Sequence, residues 1–165
     1  MGNLKSYHYA IIFINIFIIV YMYILLAVKY KDLPDEVPSH FNFKGEIDSY
    51  SGKGILFLLP IVSTFVTLLF IGLSLIPERF WKLNIGLESV ELSPEVRSSV
   101  INLSVTDFTV LSLFITAFLA FTFYCMIYAK QMSILIIVIF IIGVFLINIL
   151  YLVLLFIKLK PILLS

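Results

Sequence analysis

His40 is accompanied in one short stretch by Asp35, Glu36, Glu46 and Asp48, a set of nitrogen and oxygen donors whose types could hold a metal ion or divide acid and base work. The stretch offers one imidazole, no His-Glu-x-x-His pair and no cysteine pair, because the chain's single cysteine is Cys125. No cofactor and no catalytic residue is therefore assigned to it. Gly45 to Lys53 has a superficial likeness to a phosphate loop, but the glycine spacing differs and Gly54 stands where a magnesium-binding Ser or Thr is required. Two readings of the stretch stay open. In one, His40, Asn42 and Asp48 hydrogen-bond the loop to itself, with Lys53 marking the headgroup boundary. In the other, interleaved aromatic and charged side chains form a recognition surface. Phe41, Phe43 and Tyr50 would then cover an apolar face of a ligand while His40, Asp48 and Lys53 pair its polar groups.

The rest of the chain sets where that stretch can sit. It has 165 residues, 62% of them hydrophobic and 13% charged, with a mean hydropathy of +1.14. A soluble domain carries about 25% charge, so the solvent of this chain is largely lipid. A net charge of +1 without a basic run excludes nucleic acid as a partner. Uncharged runs cover about 9–28, 55–76, 108–129 and 132–157. Each can cross a hydrocarbon layer of about 30 Å as a helix. The first holds 13 Ile, Leu, Phe or Val residues, and at about −0.3 to −0.6 kcal/mol each its insertion is favoured by roughly 4–8 kcal/mol. It is too long for a signal peptide and ends without a small-x-small cleavage site.

The fold class is thus an all-α integral membrane protein, a single domain over 1–165: four helices in an antiparallel bundle, a motif loop over 29–54 and a connecting segment over 77–107. Lys130 and Gln131 alone separate spans three and four, which forces a tight hairpin. Pro60 is expected to kink span two, and Asn15 and Asn148 to face other helices. Glu78, Arg79, Phe80, Trp81 and Lys82 read as an interfacial anchor. Ser93, Pro94 and Glu95 read as an N-cap, N1 proline and acidic first turn, opening an interfacial helix with Val96, Val100 and Leu103 on one stripe. No ionisable group falls within the counted spans, which disfavours a proton or ion carrier, while a homo-oligomer is compatible with the pattern.

Within the motif loop, Leu33 and Val37 each precede a proline and are held extended. Pro38 to Phe43 alternates, with Phe41 and Phe43 on one side and His40 and Asn42 on the other, and Gly45 supplies a turn. The expectation is a small hairpin whose apolar side lies on the bundle or the headgroups and whose His40, Asn42 and Asp48 face water.

The string Leu-Pro-x-x-Val-Pro-x-His-Phe-Asn-x-x-Gly-x-x-Asp, followed by Gly52-Lys53, resembles the signature of a bacterial membrane domain of unknown function. That domain forms the N-terminal part of SdpI-type proteins, which give immunity against a sporulation-delaying peptide toxin. The matching positions are Leu33, Pro34, Pro38, His40, Phe41, Asn42, Gly45, Asp48 and Lys53. The resemblance covers about residues 7–80; SdpI-type proteins carry further spans beyond the four found here. It implies a bacterial plasma membrane, cytoplasmic termini and an extracytoplasmic motif loop. The implied partners, besides the bilayer, are a peptide toxin or another membrane protein, and the implied binding residues are Pro38, His40, Phe41, Asn42, Gly45, Asp48 and Lys53. The competing class is a transport or enzyme-complex subunit in which the loop gates a substrate path. Charge counting does not orient the chain, since six basic residues lie on the terminal side and five on the other.

Overall fold

A computed structural model describes residues 4–81 and 92–163. Its helices are α1 Ser6–Lys29, α2 Leu58–Ser74, α3 Pro94–Ile127 and α4 Ile134–Leu163, and its strands are β1 Glu36–Phe41 and β2 Ile47–Gly52, with a 3-10 helix over Lys53–Phe57 leading into α2. All four helices, counting the 3-10 turn with α2, are long and apolar enough to cross a bilayer. The protein is a multi-pass membrane protein. Lys82 of the expected interfacial anchor falls outside the described residues.

The organising element is α3, which packs against the other three helices. Ser93 caps it as expected, its hydroxyl accepting from the Val96 N–H at 3.4 Å, and Pro94 takes the first helical position. The interfacial helix expected before the third span does not form a separate element. One unbroken helix of 34 residues runs into the span, about 51 Å long and therefore well beyond a hydrocarbon layer of about 30 Å. The reason lies in its packing: Val100, Ile101, Ser104 and Val105 are buried against neighbouring helices, so this segment has protein rather than headgroups on its apolar stripe. Arg97 Nη2 donates to the carbonyls of Glu78 and Trp81, both at 2.9 Å, and ties the start of α3 to the segment that follows α2. Trp81 itself donates to the Ile76 carbonyl at 2.9 Å and stacks on Phe108.

Contacts between helices give their relative directions. Phe114 and Phe118 of α3 stack on Phe140 of α4, and Ser104 meets Tyr151 at 3.0 Å, so residue numbers rise on one helix as they fall on the other. Between α1 and α3 the numbers rise together, from Tyr7 with Asn102 to Asn15 with Ser112. Asn15 thus faces a neighbouring helix as expected, and Asn148, half-buried, donates from Nδ2 to the Val144 carbonyl of its own helix. Pro60 lies in the first α-turn, just after the 3-10 segment, near the helix start where a missing N–H is best tolerated.

The hydrophobic core sits at the end of the helices nearest the hairpin. Met22 and Leu26 of α1, Leu56, and Phe123, Met126 and Ile127 of α3 close over Val37 of β1, with Leu33 and Phe41 packed at the edge. A buried strand residue at the centre of this cluster is what holds the hairpin on the helices.

Candidate binding groove beneath the hairpin

β1 and β2 pair antiparallel with Val37 opposite Ser51 and Pro38 opposite Tyr50, but the register breaks on both sides of His40. Such bulges bend a strand and re-aim its side chains. Here the effect is to set His40 beside Asp48, with Nδ1 and Oδ1 2.6 Å apart. Both side chains are open to solvent, 66% and 40% exposed, as the sequence leads one to expect. The expected alternation stops with the strand at Phe41, because Phe43 already lies in the turn. Phe41 packs at the edge of the core, whereas Phe43 is 96% exposed and shares no buried face with it.

The turn between the strands is built by Asn42. Its Oδ1 accepts from the N–H groups of Lys44 at 2.8 Å and Glu46 at 3.0 Å, and its Nδ2 donates to Glu46 Oε2 at 2.9 Å. This is the Asx-type self-bonding that makes asparagine a turn former. Gly45 completes the turn at φ +78°, in the left-handed region that a side chain disfavours. Its N–H donates to the Asn42 carbonyl at 2.8 Å, and its own carbonyl accepts from Met132 N–H at 2.8 Å. Met132 belongs to the short turn between α3 and α4. The hairpin tip is therefore hydrogen-bonded to a distant part of the chain, a contact that no local pattern in the sequence announces.

Lys53 is occupied by the same loop. Its ammonium meets Asp35 Oδ1 at 3.3 Å and the Leu33 carbonyl at 3.4 Å, and lies over the Tyr30 ring. Pro38 is buried. Of the seven candidate binding residues, then, Pro38, Asn42, Gly45 and Lys53 hold the hairpin in shape, His40 and Asp48 pair at its outer edge, and Phe41 packs against the core. Among the described residues no three His, Cys, Asp or Glu side chains come together as a metal would need.

Beneath that edge lies a cavity of about 360 Å³, large enough for a small ligand. Ser39, His40 and Asn42 line its hairpin side, with Phe41 and Phe43 between them, and Phe118, Thr122, Met132 and Ile137 of the α3–α4 region form the opposite wall. Phe118 lies nine residues before the end of α3 at Ile127, about 14 Å along the helix axis. The groove therefore runs from a polar hairpin at the helix ends down to aromatic and aliphatic side chains of α3 and α4. Sequence reasoning finds the hairpin residues and misses the α3 and α4 wall, whose members are ordinary span residues.

A family model described as a domain of unknown function (DUF1648) matches residues 17–64. The matched segment takes in the second half of α1, the whole hairpin and the first turns of α2. No curated protein and no solved structure matches the chain.

Proposed function

We propose that this protein is a non-enzymatic, SdpI-like component of a bacterial plasma membrane that captures a membrane-active amphipathic peptide in the groove beneath its hairpin, so protecting against or sensing that peptide. The observation that carries the reading is the graded groove, polar at His40, Ser39 and Asn42 and apolar at Phe118 and Ile137. An amphipathic peptide at the interface presents the same gradient, with its polar face toward the headgroups and its apolar face buried about 5–10 Å below them. The His40–Asp48 pair supplies polar contacts at the rim, and Phe43, held out at the hairpin tip, supplies an apolar one. Capture needs no turnover, and the seven-residue set contains no nucleophile placed against a base. The alternative of a loop that gates a substrate path through the helices has the apolar cluster of Met22, Leu26, Leu56 and Phe123 against it, because that cluster fills the helix ends directly under the strands.

The test is made on the full chain carrying Cys125→Ser with a single cysteine at Ser39, labelled with an environment-sensitive fluorophore. In intact cells Ser39→Cys should label from outside and Ser93→Cys should not. In vesicles, a synthetic amphipathic Leu/Lys helical peptide should shift the emission of the Ser39 probe, and Phe118→Ala should weaken the apparent affinity about tenfold. External labelling at Ser93 alone, or an unchanged response in Phe118→Ala, refutes capture at this groove.

A further inference from the structure

Midway along the helices, α1, α2 and α3 meet on a polar seam. Asn15, Thr67, Thr109 and Ser112 are all nearly inaccessible there, with Ser63 and Thr116 beside them on the same two helices. Among the described residues a single hydrogen bond crosses the seam, from Asn15 Nδ2 to Ser112 Oγ at 2.7 Å. Hydroxyls in membrane helices commonly donate to the carbonyl four residues earlier, and Thr64, Ser104, Thr109 and Thr122 do so. Thr67 Oγ1 does not, and neither it nor Asn15 Oδ1 has a partner among the described residues. Both residues line one small cavity of about 10 Å³, closed by Ile12, Phe70 and Ile71 and bordered by Thr109 and Ser112.

An unmatched amide oxygen and hydroxyl buried in hydrocarbon each cost on the order of 1–3 kcal/mol. A water needs about 10–15 Å³ and two to four polar partners, and the seam offers both. The geometry points to a structural water bound between α1 and α2, donating to Asn15 Oδ1 and accepting from Thr67 Oγ1, with Ser112 or Thr109 in reach of its second hydrogen. The water completes the mid-helix seam, where among the described residues the protein side chains supply a single crossing bond. The site is independent of the groove at the hairpin.

The sign of one substitution separates a wet seam from a dry one. Thr67→Val keeps the side chain's shape and removes its hydroxyl. The experiment measures reversible unfolding of the full chain in mixed micelles by titration with dodecyl sulfate, beside Thr116→Val, whose orphan hydroxyl does not line the cavity. With a bound water, Thr67→Val lowers the folded-to-unfolded ratio about threefold to tenfold, in keeping with hydrogen bonds between membrane helices, and Thr116→Val leaves it equal or raises it. A Thr67→Val ratio equal to or above that of the unaltered chain overturns the assignment, because deleting an unmatched hydroxyl from a dry site is neutral or stabilising. An equal loss in both variants overturns it too, since a general cost of replacing threonine by valine needs no water.

Discussion

Replacing Gly45 by alanine should undock the hairpin from the turn between α3 and α4. A β-carbon on Gly45 would lie 1.8 Å from the Met132 carbonyl oxygen and 2.8 Å from its carbonyl carbon. Those atoms are backbone, so no rotamer change can clear them, and the residue sits at φ +78° besides. Holding a non-glycine residue in the left-handed region costs about 1–2 kcal/mol. Moving the tip away also breaks the Met132 N–H to Gly45 carbonyl bond, worth about 0.5–1.5 kcal/mol. The sum is about 1.5–3.5 kcal/mol, which lowers the docked-to-undocked ratio roughly 10- to 400-fold. Hydrogen exchange at the Met132 amide reads this directly, and protection there should fall by that factor. Gly54→Ala is the control, since a methyl group there would meet nothing within 4 Å and its effect should stay within about 0.5 kcal/mol. Unchanged Met132 protection in Gly45→Ala would refute both the docking contact and the tip geometry derived from it.

Asn42→Ala removes three side-chain hydrogen bonds from the turn and should cost about 1–2 kcal/mol, read as faster exchange of the Lys44 and Glu46 amides. Asp48→Asn should leave the unfolding midpoint nearly unchanged, because an exposed pair contributes only about 0–1 kcal/mol, yet it should weaken peptide capture measured by the Ser39 probe. Ala129 follows α3 at φ 47°, with the next N–H, that of Lys130, bonded to the Cys125 carbonyl at 2.9 Å, so Ala129→Gly should stabilise the chain by about 0.5–1 kcal/mol in dodecyl sulfate titration. Gly143→Ala would set its methyl 2.4 Å from the Phe114 ring and should loosen the α3–α4 contact by about 1 kcal/mol, detectable as weaker cross-linking of cysteines placed at Phe118 and Phe140.

The four spans are legible because lipid imposes one strong rule, an uncharged apolar run of sufficient length, and each run states it locally. The hairpin is legible for a similar reason: two X-Pro steps, alternating side chains, an asparagine and a glycine specify extension and reversal within a few residues. The continuous α3 is not. Its first third is polar enough to read as a surface segment, and only the burial of Val100, Ile101 and Val105 against other helices shows that it belongs to the bundle. His8 is silent in the sequence altogether. It is fully buried, accepting from Lys5 N–H at Nδ1 and bonding Thr106 Oγ1 at Nε2, and a single histidine next to an apolar run carries no local sign that a partner 98 residues away awaits it. The wall of the groove is invisible for the same cause, since Phe118 and Ile137 are indistinguishable in sequence from lipid-facing neighbours.

The motif loop bonds to itself through Asn42 and through the His40–Asp48 pair, and capture is proposed only of its exposed side chains. Asn42, Gly45, Lys53 and Pro38 bond or pack within the loop and its docking site, so they are already committed to shape. A ligand that needed Lys53 would have to displace Asp35 and the Leu33 carbonyl first. His40 has one ring nitrogen on Asp48 and a ring 66% open to solvent, and Phe43 has almost its whole surface uncovered. Substitutions in the first group should therefore lower stability and capture together, while substitutions at His40, Asp48 and Phe43 should lower capture at constant stability. Phe43→Ser separates the two with least ambiguity, because a side chain 96% exposed contributes little to folding yet stands at the mouth of the groove. If Phe43→Ser leaves the response to the Leu/Lys peptide intact, the aromatic tip has no part in capture.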